Sequence, residues 1–233
     1  MTPKKRIRHR VERTGNKHSR AVFTDGTIVI RLARNLSRTE AEEHVRDLLR
    51  RMTQQLLEEE QKTVIDPFRP LLDGNQSLTI TLATGKQYHF TLKSGSRTSA
   101  RRTSRGWSVT VGPHIRRKGL HSFLWKLLSK SEEKRVRILV HMINDETFSY
   151  PLRKITLKFA TSQWGSCSTR KVIMLNSALL FTPPSVLKYL IVHELSHLRF
   201  GNHSPTYWRN VGSAMPTFKR AREILKDYRL PTL

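Results

Sequence analysis

The sequence of 233 residues has a single cysteine, Cys167, so it can form no internal disulfide. That fits a reducing compartment, and a cytoplasmic location is expected. No apolar run approaches the roughly 18 residues that a membrane-spanning helix requires, so no membrane insertion is expected. Met1–Arg10 is basic, but no apolar stretch follows it, which is not the pattern of a secretory signal. Acidic side chains are scarce: 18 Asp and Glu face 43 Lys and Arg, for a net charge of +25. The excess runs along the whole chain. Residues 1–150 carry thirty basic and fifteen acidic side chains, and residues 151–233 carry thirteen and three. Such a balance favours acidic partners, DNA or RNA among them, but specifies no site. There is no internal repeat and no low-complexity tract. What remains is an ordinary globular composition, 37% hydrophobic and 26% charged. It is enough for one sizeable core, or for a main domain with a smaller β-rich lobe.

Residues 1–20 read as a basic tail, frayed at its start. Ala21 to Leu32 places Val22, Phe23, Ile28, Val29, Ile30 and Leu32 around Asp25-Gly26, which predicts a hairpin. Ser37-Arg38-Thr39-Glu40 is a capping box, opening a helix to about Gln61 with an apolar stripe from Val45 to Leu57. Strands are expected at Leu78 to Leu82, Gln87 to Leu92 and Gly106 to Val111. Between the last two, Lys93 to Arg105 holds Arg97, Arg101, Arg102 and Arg105 among small polar residues, and reads as a flexible loop or a phosphate-contacting patch. Arg116 to about His141 reads as helix with a break at Ser129 to Ser131.

The last third differs in character. Ile155, Leu157 and Phe159 alternate as a strand, Thr161 to Lys171 is a Gly/Ser-rich connection, and Val172 to Leu175 is a second short strand. Pro183-Pro184 opens a helix spanning Val186 to Phe200, which Gly201-Asn202 stops. Ser204-Pro205 opens another to about Val211, Met215-Pro216 is a turn, and Phe218 to Tyr228 closes the chain as a helix. The fold class expected is α+β. The organisation expected is a tail over 1–20, a sheet-and-helix region over 21–150 and a core over 151–233, the last two forming one continuous domain from about 21 to 230.

The chemistry lies in that core. His193-Glu194-Leu195-Ser196-His197 puts two histidines one helical turn apart, so both can face one ion, with a glutamate beside the first. Leu190, Ile191, Val192, Leu195 and Leu198 make this a buried helix, where two imidazoles and a carboxylate are costly unless metal or hydrogen bonds compensate. One Zn2+ is the expected cofactor. His203, just past Gly201, is the preferred third ligand, with Glu223 and Asp227 as carboxylate alternatives. Glu194 lies about 100° round the helix from His193, where it can reach a water on the ion without binding the ion itself. That arrangement suits a hydrolase acting on a protein or peptide substrate, with Glu194 as general base. Tyr207 is either an oxyanion donor or, with more weight, a packed aromatic. Cys167 is either a thiolate ligand or, with more weight, a small buried residue. Two other readings compete. One is a nucleic-acid-binding protein with a structural zinc, which leaves Glu194 without a role. The other is a metal-dependent hydrolase of a non-peptide amide or ester, which the same activated water would serve.

Several segments together resemble a known family. Gln163-Trp164-Gly165-Ser166-Cys167-Ser168, Ile173-Met174-Leu175-Asn176, Pro183, Tyr189 to Leu198 and Asn202-His203-Ser204-Pro205-Thr206-Tyr207-Trp208 look like the YgjP-like metallopeptidases, which are similar to the SprT-like zinc proteases that act at DNA–protein crosslinks. The resemblance is strong over about residues 150–230 and looser upstream. It implies His193, His197 and His203 as ligands and Glu194 as the catalytic residue. It also implies a minimal zincin-like core, with a short sheet over an active-site helix. Position 200 is Phe where the related three-histidine pattern has Gly, and Gly201 is the candidate for that turn. The Trp164 to Ser168 loop suggests substrate pairing if Val172 to Leu175 is an exposed edge strand. Asn176 reads as a residue that fixes this loop by hydrogen bonds.

Overall fold

The computed structural model describes residues 7–231. The chain divides into two compact units, one ending at Lys62 and one beginning at Thr63. The first unit contains β1 (Arg8–Arg13), β2 (Arg20–Thr24), β3 (Thr27–Leu32) and α1 (Arg38–Gln61). Asp25 and Gly26 both adopt positive φ, 50° and 75°, the geometry that lets a two-residue turn match the twist of its strands. β2 therefore pairs antiparallel with β3, and β1 joins the other side of β3 in parallel. The Ser37 hydroxyl accepts from the Glu40 N–H while the Glu40 carboxylate accepts from the Ser37 N–H, so the capping box is closed. Ile28, Ile30 and Leu32 pack with Ala41, Val45, Leu48 and Met52 of α1. The expected tail over 1–20 is corrected by β1. Its sequence, RHRVER, has no apolar alternation, and its partner lies nineteen residues on, so no local signal marks it. Residues 1–6, the start of that tail and much of the Met1–Arg10 stretch, lie outside the described residues.

The second unit runs β4 (Thr63–Val64), α2 (Arg69–Leu72), β5 (Ser77–Thr81), β6 (Gln87–Ser94), β7 (Ser99–Arg102), β8 (Gly106–Val111), α3 (Arg117–Thr147), β9 (Lys154–Lys158), β10 (Gly165–Cys167), β11 (Val172–Asn176), a 3-10 turn (Ser177–Phe181), α4 (Pro184–Ser196), α5 (Pro205–Ala214), α6 (Phe218–Lys226) and β12 (Tyr228–Arg229). β5, β6, β8 and β7 form one sheet in that order, and β12 pairs with β4. The arginine-rich segment expected as a loop contains β7, the edge strand against β8. Period-two alternation sends its two arginines to opposite faces. The Arg102 guanidinium lies over the Tyr88 and Trp107 rings, at 5.5 and 5.2 Å, and donates to the Ser131 hydroxyl.

α3 is continuous through the expected break. The Ser129 and Ser131 hydroxyls donate to the carbonyls of Trp125 and Leu127 one turn back, which holds these residues within the helix. Beside them Glu132 is fully buried and accepts from Lys86, Tyr88 and Arg135. Burial alone would raise its pKa, but the three donors outweigh burial and hold the carboxyl below its ordinary value. The polar run that looked like a break is an inward-facing network tying α3 to β6. A single apolar cluster runs from Ile65 to Ala221, and Trp125 of α3 stacks on Phe159, just beyond β9, at 4.5 Å.

β10, β11 and β9 form the second sheet, with β11 in the middle, antiparallel to β10 and parallel to β9. The condition set for substrate pairing, that Val172–Leu175 be an exposed edge, is therefore not met: β11 is central and β10 is an edge. Asn176 pins the connection before it, donating to the carbonyls of Ala160 and Gln163 and accepting from the Ala178 N–H. α4 ends at Ser196, four residues earlier than expected, because Leu198 and Arg199 bond only three residues back and tighten the chain. None of the helices in the described residues is long and apolar enough to cross a membrane.

Candidate active site

α4 packs against β10, β11, α5 and α6, and its last turn carries the candidate residues. His193 lies one turn before His197, the residue that caps the helix. The chain then turns at Gly201, and His203 stands exposed just before Ser204, whose hydroxyl caps α5. The structure brings His193, His197 and His203 together, with one nitrogen of each lying within 4.8 Å of the others. His193 Nε2 and His203 Nε2 are 3.2 Å apart. Two nitrogens held tetrahedrally at about 2.0–2.1 Å from one ion stand about 3.3 Å apart, so this pair fits a shared metal. His193 Nδ1 is buried with no hydrogen-bond partner among the described residues. His197 Nδ1 lies 3.0 Å from the Phe200 carbonyl, which can only accept, so that nitrogen carries the proton and leaves Nε2 with a free lone pair. The donor set suits zinc.

Electrostatics agree with that chemistry. Burial, and then the neighbouring charges of His197, His203 and Arg222, push the His193 pKa down to about 3. Burial, His197 and Arg222 also lower that of His203. Neutral imidazoles at neutral pH are what a metal requires. Tyr207 is fully buried beneath the cluster, with its ring 5.5, 4.7 and 4.8 Å from the rings of His193, His197 and His203. Its hydroxyl donates to the His193 carbonyl at 3.0 Å and so supports the last turn of α4. Burial pushes the phenol pKa well above its ordinary value.

The Glu194 side chain lies against Gly165 of β10 and is 4% exposed. The contact is close: a Cβ at Gly165 would stand 2.4 Å from Glu194 Oε1 and 3.0 Å from both Cδ and Cγ. Burial pushes the Glu194 pKa up to about 8. Burial and the Glu194 charge raise Cys167 to about 11, and its sulfur is not part of the histidine cluster. Glu223 and Asp227 are not part of it either, and Glu223 accepts from Lys226 instead. α6 contributes a different residue that sequence reasoning missed. The Arg222 guanidinium lies 4.8 Å over the Trp208 ring, and Trp208 stacks on His203 at 5.6 Å. Nothing local in the sequence sets Arg222 apart from the basic residues around it.

No curated protein matches the chain. The crystal structure of the metallopeptidase zymogen of Pyrococcus abyssi abylysin is similar over 38% of this chain and 87% of its own, at 27% identity and a TM-score of 0.34. The family model described as YgjP-like, metallopeptidase domain, matches residues 17–228. With nearly the whole sequence covered, the chain belongs to the YgjP-like family and is a metallopeptidase.

Proposed function

We propose that this chain is a zinc-dependent peptidase of minimal zincin type, in which His193, His197 and His203 hold one Zn2+ ion and Glu194 is the general base. The observation that carries the reading is the convergence of three imidazoles with a buried glutamate on the adjacent position. A structural zinc site is closed by four protein ligands, whereas a catalytic one keeps a position open, and the cluster has three. When bound, the ion supplies Lewis acidity to a water and to the scissile carbonyl. Glu194 takes the proton of the attacking water and passes it to the leaving amine.

β10 supports a peptide as substrate. The Asn176 N–H donates to the Trp164 carbonyl and the Ser168 N–H to the Val172 carbonyl. In an alternating antiparallel ladder the backbone groups of Gly165 and Cys167 therefore face away from β11, where an extended chain can pair. Such a chain runs beside Glu194. Metal removal tests the proposal. Dialysis against a chelator is expected to abolish cleavage of an unstructured protein such as casein, and one equivalent of zinc to restore it. Full cleavage by the metal-free protein would refute the zinc mechanism. Turnover of small amides or esters without any peptide cleavage would shift the substrate to non-peptide bonds.

The charge supports an acidic partner as well. Strand alternation puts Thr79, Thr91, Lys93, Arg101, Ser108 and Thr110 on the outer face of the four-stranded sheet. No acidic side chain shares that face, and Arg97 and Arg105 flank it. These are the side chains that meet nucleic-acid phosphates. Binding to DNA or RNA is expected to weaken steeply with salt, and a Lys93→Glu, Arg101→Glu pair to weaken it at least tenfold and lower the salt slope by about two. Binding indifferent to both changes would remove nucleic acid from the function.

A further inference from the structure

Arg222 stands beside the histidine cluster, and beyond the effect of its charge on those imidazoles it has no role in the chemistry above. Its guanidinium lies over Trp208 at 4.8 Å, and Trp208 stacks on His203 at 5.6 Å. The two spans put the guanidinium no more than roughly 10 Å from the His203 ring, the reach of about three extended residues. It is exposed, and none of the ion pairs among the described residues includes it; its neighbour Glu223 pairs with Lys226. The chain has little to offer it, because residues 151–233 hold only three acidic side chains, one of which is the buried Glu194. A fixed cation beside three imidazoles works against holding a metal dication there. An anion arriving with the substrate would offset that cost.

Stacking also prepares the side chain for such an anion. A guanidinium held over an indole makes no hydrogen bond to it and keeps its N–H donors for the planar fork that meets a carboxylate with two parallel hydrogen bonds. In a peptide the anions available are carboxylates. Building on the peptidase reading, we propose that Arg222, held by Trp208, is a specificity-determining residue that binds a carboxylate of the substrate within about three residues of the scissile bond. The carboxylate comes from an acidic side chain or from the C-terminus of the substrate.

The test uses the zinc-loaded full chain and one cleavable peptide, with Asp or Asn placed in turn at each of the three positions on either side of the bond, and with a free or amidated C-terminus. Wild type is expected to favour the carboxylate member at one position by about 10–100-fold in kcat/KM. Arg222→Gln collapses that ratio to near one, Arg222→Lys keeps part of it, and Arg222→Glu turns the preference toward a Lys-bearing peptide. The position that responds tells the side-chain source from the terminal one. The same ratios are read without turnover as affinities of labelled peptides for the Glu194→Gln protein by fluorescence anisotropy. A ratio near one at every position in wild type, or one that survives Arg222→Gln, overturns the proposal. Absence of any cleavage by wild type would count against the peptidase reading alone, and the binding ratios would still decide the role of Arg222.

Discussion

Glu194→Gln is expected to lower peptide cleavage by about 10²–10⁴-fold while the protein still takes up one equivalent of zinc. Glutamine has nearly the same shape, so it keeps its place against Gly165 and leaves the three imidazoles undisturbed, but it cannot take a proton from water. Metal content by atomic absorption and kcat on one peptide check both halves. A variant that cleaves like wild type would remove Glu194 from the mechanism. The same substitution has an opposite effect on stability. In the metal-free protein burial raises the Glu194 pKa from 4.5 to about 8. The folded state therefore holds a proton that the unfolded chain has already lost between those values. The stability cost grows as pH rises from about 4.5 to about 8 and is constant above that. Metal-free Glu194→Gln should melt above metal-free wild type at pH 9, and the difference should close toward pH 4. Equal melting at pH 9 would show that the carboxylate is not desolvated.

Gly165→Ala is expected to cost about 10–100-fold in kcat, with little loss of metal. The new methyl group would stand 2.4 Å from Glu194 Oε1, and the other crowded atoms also belong to that side chain. Glu194 can swing aside, so the fold survives. A displacement of about 1 Å is nevertheless enough for a loss of this size in a proton-transfer step. The diagnostic is a cycle with the first variant: once Glu194 is glutamine, adding Gly165→Ala should cost almost nothing more. Additive losses would place the effect of Gly165 elsewhere, in the pairing of substrate with β10.

These expectations rest on features with very different visibility in the sequence. The hairpin at Asp25-Gly26, the Ser37 capping box and the one-turn spacing of His193 and His197 are local, set by residues within four positions of each other, and each is legible from the chain alone. β1 has its partner strand nineteen residues on, β7 pairs only with the strand that follows it, and charged sequences such as RHRVER and SARR show no alternation of their own to reveal either. The break assigned to α3 failed because two serines close together look like helix-ending residues until their carbonyl partners within the helix are known. The order of β10 and β11 is a property of pairing, and short apolar strands do not declare which of them is central. Arg222 is the clearest case. It is one of thirteen basic residues in the last third, and only the fold sets its guanidinium over Trp208.

α3 bears on how this machinery could be moved between proteins. Its 31 residues reach about 46 Å, and it lies against both β9 and α4. Every residue proposed to bind metal, proton or peptide comes after it in the chain. An excised segment 151–233 would thus keep all the reactive groups and lose the surface on which their scaffold sets, leaving β9 and α4 with bare apolar faces prone to aggregation. The activity is not a cassette. A shortened version of this chain would need a substitute for that one long helix before it could use the histidines.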